Sequence, residues 1–311
     1  LLVEGFGPGF NGPLTLAAEL PEGTDPADLA AVTEAVAADS GVDSVSEPQP
    51  NDPDDPTAVS WQMVATSAPQ DAETTELVER LRGEVLPGVA DDTGATYLVG
   101  GPTAATVDFA DAVSQRMPIF LLLVIGLSAL LLMAVFRSVL IPLKAAILNL
   151  LSIGASLGAV TLVYQYGWFG AQAGPVEAFV PTMIFAIVFG LSMDYEVFLV
   201  SRMHEEWRRT GRADHAVREG LATTGGVITA AAAIMIVVFG AFVLSEDRML
   251  QQFGLGLAVA IALDALVIRC LVVPTVMRLL GPAAWWLPRW LDRILPNIRL
   301  ESEATVNHTH R

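Results

Sequence analysis

Five long apolar segments in the second two-thirds of the sequence restrict the chain to folds that cross a membrane. Each has about the 20 mostly apolar residues that an α-helix needs to pass through the hydrocarbon core of a bilayer. Hydrophobic residues make up 53% of the 311 positions, which is more than an ordinary soluble protein carries. We therefore predict a multi-pass bundle of membrane helices whose spans are residues 118–136, 141–166, 179–200, 222–244 and 253–277.

The first 115 residues predict a separate α+β domain. They hold 21 of the 34 acidic residues but only 2 of the 17 basic residues. Their apolar patterns follow the order strand, helix, strand, strand, helix, strand, which is that of the split β-α-β ferredoxin-like motif. We divide the chain into this domain over 1–115, a membrane domain over 116–280 and a tail over 281–311. The predicted strands are 13–20, 41–47, 57–66 and 95–99, and the predicted helices begin at Asp25 and at residue 71.

Charge and cysteine content exclude several classes of protein. Nucleic-acid binding requires a clustered basic surface. An acidic first domain beside a slightly basic membrane part argues against one, so we expect no nucleic-acid partner. Cys270 is the single cysteine and forms no disulfide framework within the chain. His308 and His310 lie in what we interpret as a disordered end rather than a metal site. We predict no metal, no cofactor and no catalytic residue.

Basic residues orient the spans, because Arg and Lys concentrate in cytoplasmic connections. They follow the first and third spans and recur in the tail, whereas the other two connections contain only Arg248. This pattern predicts a protein of the cytoplasmic membrane with residues 1–115 outside and the C-terminus inside. Trp285, Trp286 and Trp290 predict a short interfacial helix in the tail. The basic residues are Arg137, Lys144, Arg202, Arg208, Arg209, Arg212, Arg218, Arg278, Arg289, Arg293 and Arg299.

The start of the sequence points to a longer protein. The chain begins at Leu1 without a Met or a signal-peptide pattern, although its first domain is predicted to be external. We therefore expect the sequence to be a piece of a longer chain. A helix preceding Leu1 would enter the first domain from the cytoplasmic side.

An ionisable cluster in the third span is the main candidate for a functional site. Asp194 and Tyr195 lie well inside the apolar segment, and an Asp at the centre of a membrane helix costs roughly 2.5 to 3.5 kcal/mol on insertion scales. Gly190 lies one turn before Asp194 and leaves room for a partner helix or water. The Tyr195 hydroxyl is placed to donate to a carboxylate on a neighbouring helix. Glu196 points about 200° away on the helix and is interpreted as a supporting or headgroup contact.

Asp264 and Arg269 form a second pair of charges, in the last span. Five residues correspond to about 140° on an α-helix, so we expect them not to pair with each other but to find partners on other helices. These charges either pin helices together or support function. Asp194 and Asp264 also allow an intramembrane aspartyl protease, since two carboxylates can share a proton. The Asp-Tyr order and the absence of a Gly-x-Gly-Asp motif argue against that activity.

Four motifs resemble the MMPL family of transporters, whose name abbreviates mycobacterial membrane protein large and which belongs to the resistance-nodulation-division (RND) superfamily. Together they cover nearly the whole chain and resemble the C-terminal half of such a transporter. The most specific are the DYEVFLVSR block and the DA..IR...P pattern of the last span. The motifs are GFGPGFNGPL at 5–14, FRSVLIPLKA at 136–145, GLSMDYEVFLVSRMHEEW at 190–207 and GLGLAVAIALDALVIRCLVVPTVMRLLG at 254–281.

The resemblance implies export of lipids or other hydrophobic molecules, driven by the proton gradient, and an actinobacterial source. It implies that Asp194 and Tyr195 are a proton relay and that residues 1–115 are an extracytoplasmic porter subdomain. Asp264 and Arg269 fit the family pattern, and with Glu196 they are candidate supporting charges within the membrane. Its expected partners are the N-terminal half of the same transporter, a lipid or hydrophobic substrate, and membrane lipids. A lipid or sterol receptor, or an assembly scaffold of similar fold that does not transport, stays open as an alternative.

Overall fold

The computed structural model describes residues 2–21, 26–52 and 56–295. The chain divides into two compact units, Leu1–Gln115 and Arg116–Arg311. Asp25, the predicted start of the first helix, lies outside the described residues, as do residues 296–311 with His308 and His310.

The first unit contains a small antiparallel sheet with strand order β2-β4-β1-β5, and the two-residue β3 also pairs with β4. Alternation of buried and less buried positions explains its central strand, because successive side chains of a strand point to opposite faces. In β4, Val59, Trp61, Met63 and Ala65 are buried. The strands are β1 (Leu14–Glu19), β2 (Val42–Val45), β3 (Gln49–Pro50), β4 (Ala58–Ala65) and β5 (Thr96–Gly100).

Helices of the first unit cover the sheet with apolar residues at helical spacing. One core contains β4 together with four residues of these helices. They are Val32 and Val36 of the helix Pro26–Ala37, Leu77 of the helix Ala72–Arg80, and Leu81 of the π-helix that follows it. Helix α4 ends at Gly94, whose φ of 67° is the left-handed conformation that glycine adopts without a Cβ penalty. The helices are α1 (Leu2–Phe6), a 3-10 helix (Pro8–Asn11), α2 (Pro26–Ala37), α3 (Ala72–Arg80), a π-helix (Leu81–Val85) and α4 (Leu86–Thr93).

The prediction of five membrane spans is confirmed, since five helices in the described residues are long and apolar enough to cross a bilayer. They extend beyond the apolar segments at one or both ends. The spans are α5 (Gly101–Phe136), α6 (Leu140–Val160) continued by a π-helix (Thr161–Gln165), α7 (Val180–Thr210), α8 (Ala213–Phe242), and a last span built from α9 (Arg248–Ala262), a π-helix (Leu263–Val272), α10 (Val273–Leu280) and a 3-10 helix (Gly281–Trp285). Helix α11 (Arg289–Ile294) follows them.

Helix α7 and the last span form the interior of the second unit. In their most apolar 18-residue windows 44% and 50% of the residues are buried, against 11% to 28% in the other three spans. Small residues allow the close approach of these helices. A Cβ added to Gly254 would lie 2.7 Å from the Phe239 carbonyl oxygen, and one added to Gly256 would lie 2.3 Å from Ile184 Cδ1. The faces of α7 and the last span that meet are therefore buried.

Candidate functional site

Asp194, the principal candidate from the sequence, lies on an uncovered face of α7. Its side chain is exposed, and within the described parts of the chain its carboxylate has no hydrogen bond or salt bridge. Gly190, one turn earlier, is also exposed, and no atom lies within 4 Å of the position that a Cβ would take. The exposed residues Met183, Ala186 and Phe198 continue this face at helical spacing. The structure therefore presents Asp194 in an apolar stripe.

Tyr195 lies beside the stripe and faces α8. Its hydroxyl donates a hydrogen bond to the Met235 sulfur, a weak acceptor, at 3.7 Å. Its ring is partly buried against the apolar residues of α8 and the last span. The expectation that it donates to a carboxylate on a neighbouring helix is not met in the described residues. Asp194 and Tyr195 are thus consecutive residues with different surroundings, one exposed and one half-buried.

Glu196 lies in the interior of the unit, and the interpretation as a headgroup contact is wrong. Only 2% of the residue is exposed. Its carboxylate accepts hydrogen bonds from Lys144 Nζ and from Arg269 Nη1, the latter at 2.7 Å. The reason is the helical rotation itself, because two residues after Asp194 the side chain points to the opposite side of α7. Glu196 is therefore held between two buried cations.

Lys144 belongs to this interior site rather than to a connection between spans. Helix α6 begins at Leu140, so Lys144 lies in its second turn, and only 7% of the residue is exposed. Its ammonium group binds Glu196. The sequence predicts a cytoplasmic charge for a lysine near the end of an apolar segment. In the fold, however, the side chain of Lys144 points toward α7. The pairing could be found only from the three-dimensional arrangement.

Asp264 and Arg269 do pair with each other, which corrects the prediction from α-helical spacing. Arg269 Nε donates to Asp264 Oδ2 at 3.1 Å. Residues 263–272 form a π-helix, whose hydrogen bonds run from i to i+5 and place residues five apart on the same side. The expected partners on another helix are also confirmed: Asp264 contacts Ser192, and Arg269 contacts both Glu196 and Ser192.

Two uncharged residues complete the cluster and were not singled out from the sequence. The Ser192 hydroxyl lies 2.5 Å from Asn149 Oδ1, 3.1 Å from Asp264 Oδ1 and 2.6 Å from Arg269 Nη2. The Ser192 carbonyl accepts a further hydrogen bond from Arg269. Asn149 Nδ2 is buried and has no hydrogen-bond partner in the described residues. Ser and Asn are common enough in membrane helices that neither gives a signal without the fold.

The cluster is charge-balanced and buried. Lys144 and Arg269 oppose Glu196 and Asp264, and each of these four residues is at most 7% exposed. Buried charges of this kind are tolerated when they are paired and hydrogen-bonded. We refer to Lys144, Asn149, Ser192, Glu196, Asp264 and Arg269 as the buried cluster. It ties α6, α7 and the last span together.

The geometry does not form the acid dyad of an aspartyl protease. Asp264 is bonded to Arg269 and Ser192, and in the described part of the chain no hydrogen bond joins it to Asp194. Such a dyad requires two carboxyl groups close enough to share a proton. No group of three or more His, Cys, Asp or Glu side chains in the described residues is arranged to hold a metal ion.

The end of the last span packs onto the connection between α5 and α6. His204 of α7 lies between Phe136 and Trp285, with ring centroids 6.1 Å and 4.5 Å away. The Ser138 hydroxyl donates to the Ala284 carbonyl oxygen at 2.6 Å. Trp286 and Trp290 remain exposed beside these contacts.

Comparison with known proteins gives matches along almost the whole chain. The model of the family described as "MMPL family" matches residues 24–300. The chain is 39% identical to "Membrane protein YdfJ" of Bacillus subtilis (strain 168) over 97% of its length and 42% of that protein. It is 37% identical to "Mycolic acid-containing lipids exporter MmpL11" of Mycolicibacterium smegmatis over 96% of its length and 32% of that protein. It is 41% identical to "Trehalose monomycolate exporter MmpL3" of Mycobacterium tuberculosis over 69% of its length and 23% of that protein. The chain thus spans less than half the length of these curated relatives.

Proposed function

Because the chain belongs to the MMPL family, we propose that it is the C-terminal half of a transporter that exports lipids or other hydrophobic molecules across the cytoplasmic membrane. Two of its relatives are named as lipid exporters, of mycolic acid-containing lipids and of trehalose monomycolate. The coarse class is consistent with five membrane-spanning helices beside a small antiparallel sheet. The substrate class that we assign is a hydrophobic or lipid molecule.

The exposed Asp194 is the observation that carries this proposal. A carboxylate on the lipid-facing side of a membrane helix costs several kcal/mol, so such residues face a protein interior or a water-filled path in the assembled protein. The stripe of Met183, Ala186, Gly190 and Phe198 around it is apolar and uncovered. We infer that a second half of the transporter packs against this stripe. The resemblance to the family implies a matching Asp-Tyr pair in that half.

The first unit supports an extracytoplasmic porter subdomain. Apart from α1 and the 3-10 helix at its start and the two-residue β3, its element order is strand, helix, two strands, a helical region and a strand. Its sheet order places β4 and β1 at the centre with neighbouring strands antiparallel. Both features fit the ferredoxin-like arrangement. The distribution of basic residues between the connections supports an external position for this unit and a cytoplasmic C-terminus. We propose this topology together with the transport function.

The proposed energy source is the proton gradient, and the proposed carrier is Asp194 with Tyr195 beside it. A proton that adds to Asp194 removes the charge from the stripe, and its release on the cytoplasmic side restores the charge. Helix arrangements that differ in how well they accept a carboxylate then change their populations with the proton. Each proton moved down 100 mV supplies roughly 2.3 kcal/mol, enough to shift a two-state equilibrium more than tenfold.

Export by the complete transporter tests the proposal. Asp194→Asn keeps the size of the side chain but cannot take up and release a proton. We expect it to abolish export while the protein is still made and folded, because the exposed side chain holds no structural partner in the described residues. Near-normal export by this variant would overturn the proposal. Lipid binding that persists without any response to pH would favour a receptor or scaffold instead.

A further inference from the structure

The Ser192 hydroxyl has more partners than one proton can serve. It lies 2.5 Å from Asn149 Oδ1 and 3.1 Å from Asp264 Oδ1, and it accepts a hydrogen bond from Arg269 Nη2 at 2.6 Å. A serine hydroxyl donates one hydrogen bond and accepts up to two. Two oxygen-to-oxygen contacts therefore require two protons, and Ser192 supplies one of them. The second contact is a hydrogen bond only if Asp264 carries a proton or the Asn149 amide presents its nitrogen.

These requirements define two hydrogen-bond patterns on the same heavy atoms. With Asp264 ionised, Ser192 donates to Asp264 Oδ1 and accepts from Arg269 and from the Asn149 amide, turned so that Nδ2 faces the hydroxyl. With Asp264 protonated, Asp264 donates to Ser192, Ser192 donates to Asn149 Oδ1, and Asn149 Nδ2 faces away. The second pattern leaves Nδ2 without a hydrogen-bond partner in a residue that is only 3% exposed.

We propose that Ser192 and Asn149 form a reversible hydrogen-bond relay for Asp264, in which the hydroxyl reverses its direction and the amide rotates when Asp264 gains or loses a proton. The step adds a proton from water to Asp264 Oδ1 and changes the charge of that carboxyl from −1 to 0. Hydrogen bonds are exchanged and no covalent bond of the protein breaks. In this relay Ser192 and Asn149 are positioning residues, and this second proton site lies in the interior, away from the exposed face that carries Asp194.

The groups around Asp264 favour its ionised state. Arg269 on the same π-helix and Lys144 on α6 are cations, and Glu196 on α7 is shared between them. Tyr195 and Asp194 of α7 complete the titratable groups nearby, and α8 has no charged residue between Leu221 and Phe242. When Asp264 is protonated, Glu196 is the one remaining anion of the buried cluster and faces two cations. The buried Nδ2 group of Asn149 then also lacks a hydrogen-bond acceptor. Both effects favour release of the proton.

Protonation of Asp264 also weakens the contact across the π-helix. The Arg269 guanidinium then keeps Glu196 and the Ser192 carbonyl as partners, while its bond to Asp264 no longer joins opposite charges. That bond depends on the i to i+5 register of residues 263–272. The relay therefore links a proton to the helix register in the last span. It rests on the proposed proton-driven export and names interior residues that serve it.

Infrared difference spectroscopy between acidic and neutral pH, on the complete transporter in lipid, tests the relay directly. We expect a C=O band of a protonated carboxyl group that persists in Asp194→Asn and is absent in Asp264→Asn. Ser192→Ala removes the acceptor of that carboxyl, so the band moves to higher frequency, and Ser192→Thr restores it. A side-chain amide band that changes with pH is expected to vanish in Asn149→Leu and to lose its pH response in Ser192→Ala.

Two results would overturn the relay. One is a carboxyl band that Asp264→Asn leaves unchanged, which would mean that Asp264 does not titrate. The other is a band whose frequency is the same in Ser192→Ala and Ser192→Thr, which decides the question even if Asp264→Asn does not fold. Export by Asp194→Asn tests the proposed function separately, because the infrared bands report protonation of Asp264 whether or not transport occurs.

Discussion

The guanidinium of Arg269 lies against the carboxylate of Asp264, with 3.1 Å between Nε and Oδ2, although five residues separate them on one helix. An α-helix would place the two side chains about 140° apart. The π-helix over Leu263–Val272 brings them to the same side. Such segments occur frequently at functional sites, and here the segment lets one arginine bind two carboxylates and a serine of α7.

Glu196→Gln is expected to destabilise the protein by about 3 to 5 kcal/mol, because it leaves Lys144 and Arg269 buried without an opposing charge on α7. The free energy of unfolding in lipid bicelles measures the effect. Glu205→Gln, on the same helix, is the matched control. Its carboxylate pairs with Arg202 on the surface and is 53% exposed, so a loss of less than about 1 kcal/mol is expected. Equal losses in the two variants would contradict the account of Glu196.

Arg269→Lys is expected to cost at least about 2 kcal/mol, since one ammonium group cannot reproduce the bonds that the guanidinium makes to Asp264, Glu196 and Ser192. Arg278→Lys provides the comparison, because Arg278 is 44% exposed and binds Asp214 at 3.0 Å. The free energy of unfolding of Arg278→Lys is expected to stay within about 0.5 kcal/mol of the wild-type value. The free energy of unfolding of both variants is measured under the same lipid conditions. An Arg269→Lys protein as stable as the wild type would show that the guanidinium contacts to Asp264, Glu196 and Ser192 do not stabilise the fold.

Gly254→Ala is expected to lower the free energy of unfolding by about 1 to 3 kcal/mol. The added Cβ would lie 2.7 Å from the Phe239 carbonyl oxygen and from Phe242 Cβ, so α8 and α9 would have to separate. Gly226→Ala serves as its control, since nothing lies within 4 Å of that Cβ position. Alanine is the better helix former there, so no loss of stability is expected. Thermal unfolding of the pair measures the difference, which disappears if α8 and α9 are not in close contact.

The first unit is expected to lose stability in acid through Asp39. Hydrogen bonds from Arg80, at 2.9 Å and 3.2 Å, hold the pKa of Asp39 below its usual value, against the opposing effect of burial. An acid with a lower pKa in the folded state stabilises that state above its ordinary pKa, and the contribution is lost as the pH falls through the folded pKa. Asp39→Asn should therefore lower the free energy of unfolding of the first unit by about 1 kcal/mol near neutral pH, and should not change it in strong acid.

Hydrogen exchange of strand β4 in the whole chain measures this effect, because comparison with the wild type at each pH cancels the intrinsic exchange rates. Asp43→Asn is the control, since Asp43 is exposed on the neighbouring strand β2. A difference between Asp39→Asn and wild type that stays constant from neutral pH into strong acid would show that the Arg80 contact does not act through the charge of Asp39.

The sequence predicts the membrane spans well because hydropathy over about 20 residues reports a property of each helix alone. The strand pattern of β4 is predicted for a similar reason, since alternation of Val59, Trp61 and Met63 is local. The buried cluster is different, because it depends on which helix faces each side chain. Lys144 reads as an orienting charge and Glu196 as a headgroup contact until α6 and α7 are placed together.

Helix geometry explains the remaining error. The prediction that Asp264 and Arg269 lie apart follows correctly from 3.6 residues per turn. The π-helix changes that spacing, and no residue pattern in the sequence predicts it. Ser192 and Asn149 carry no charge, so nothing in an apolar segment singles them out. Their importance emerges only from the distances to Asp264 and Arg269.

Transport measurements on Asp194→Asn in proteoliposomes that contain the complete transporter show whether Asp194 carries the coupled proton. A pH gradient is imposed, and proton flux and substrate movement are recorded together for the wild type, for Asp194→Asn and for the Glu205→Gln control. We predict that Asp194→Asn loses both fluxes, whereas Glu205→Gln keeps both near the wild-type level. Substrate movement by Asp194→Asn that still follows the pH gradient would contradict the account.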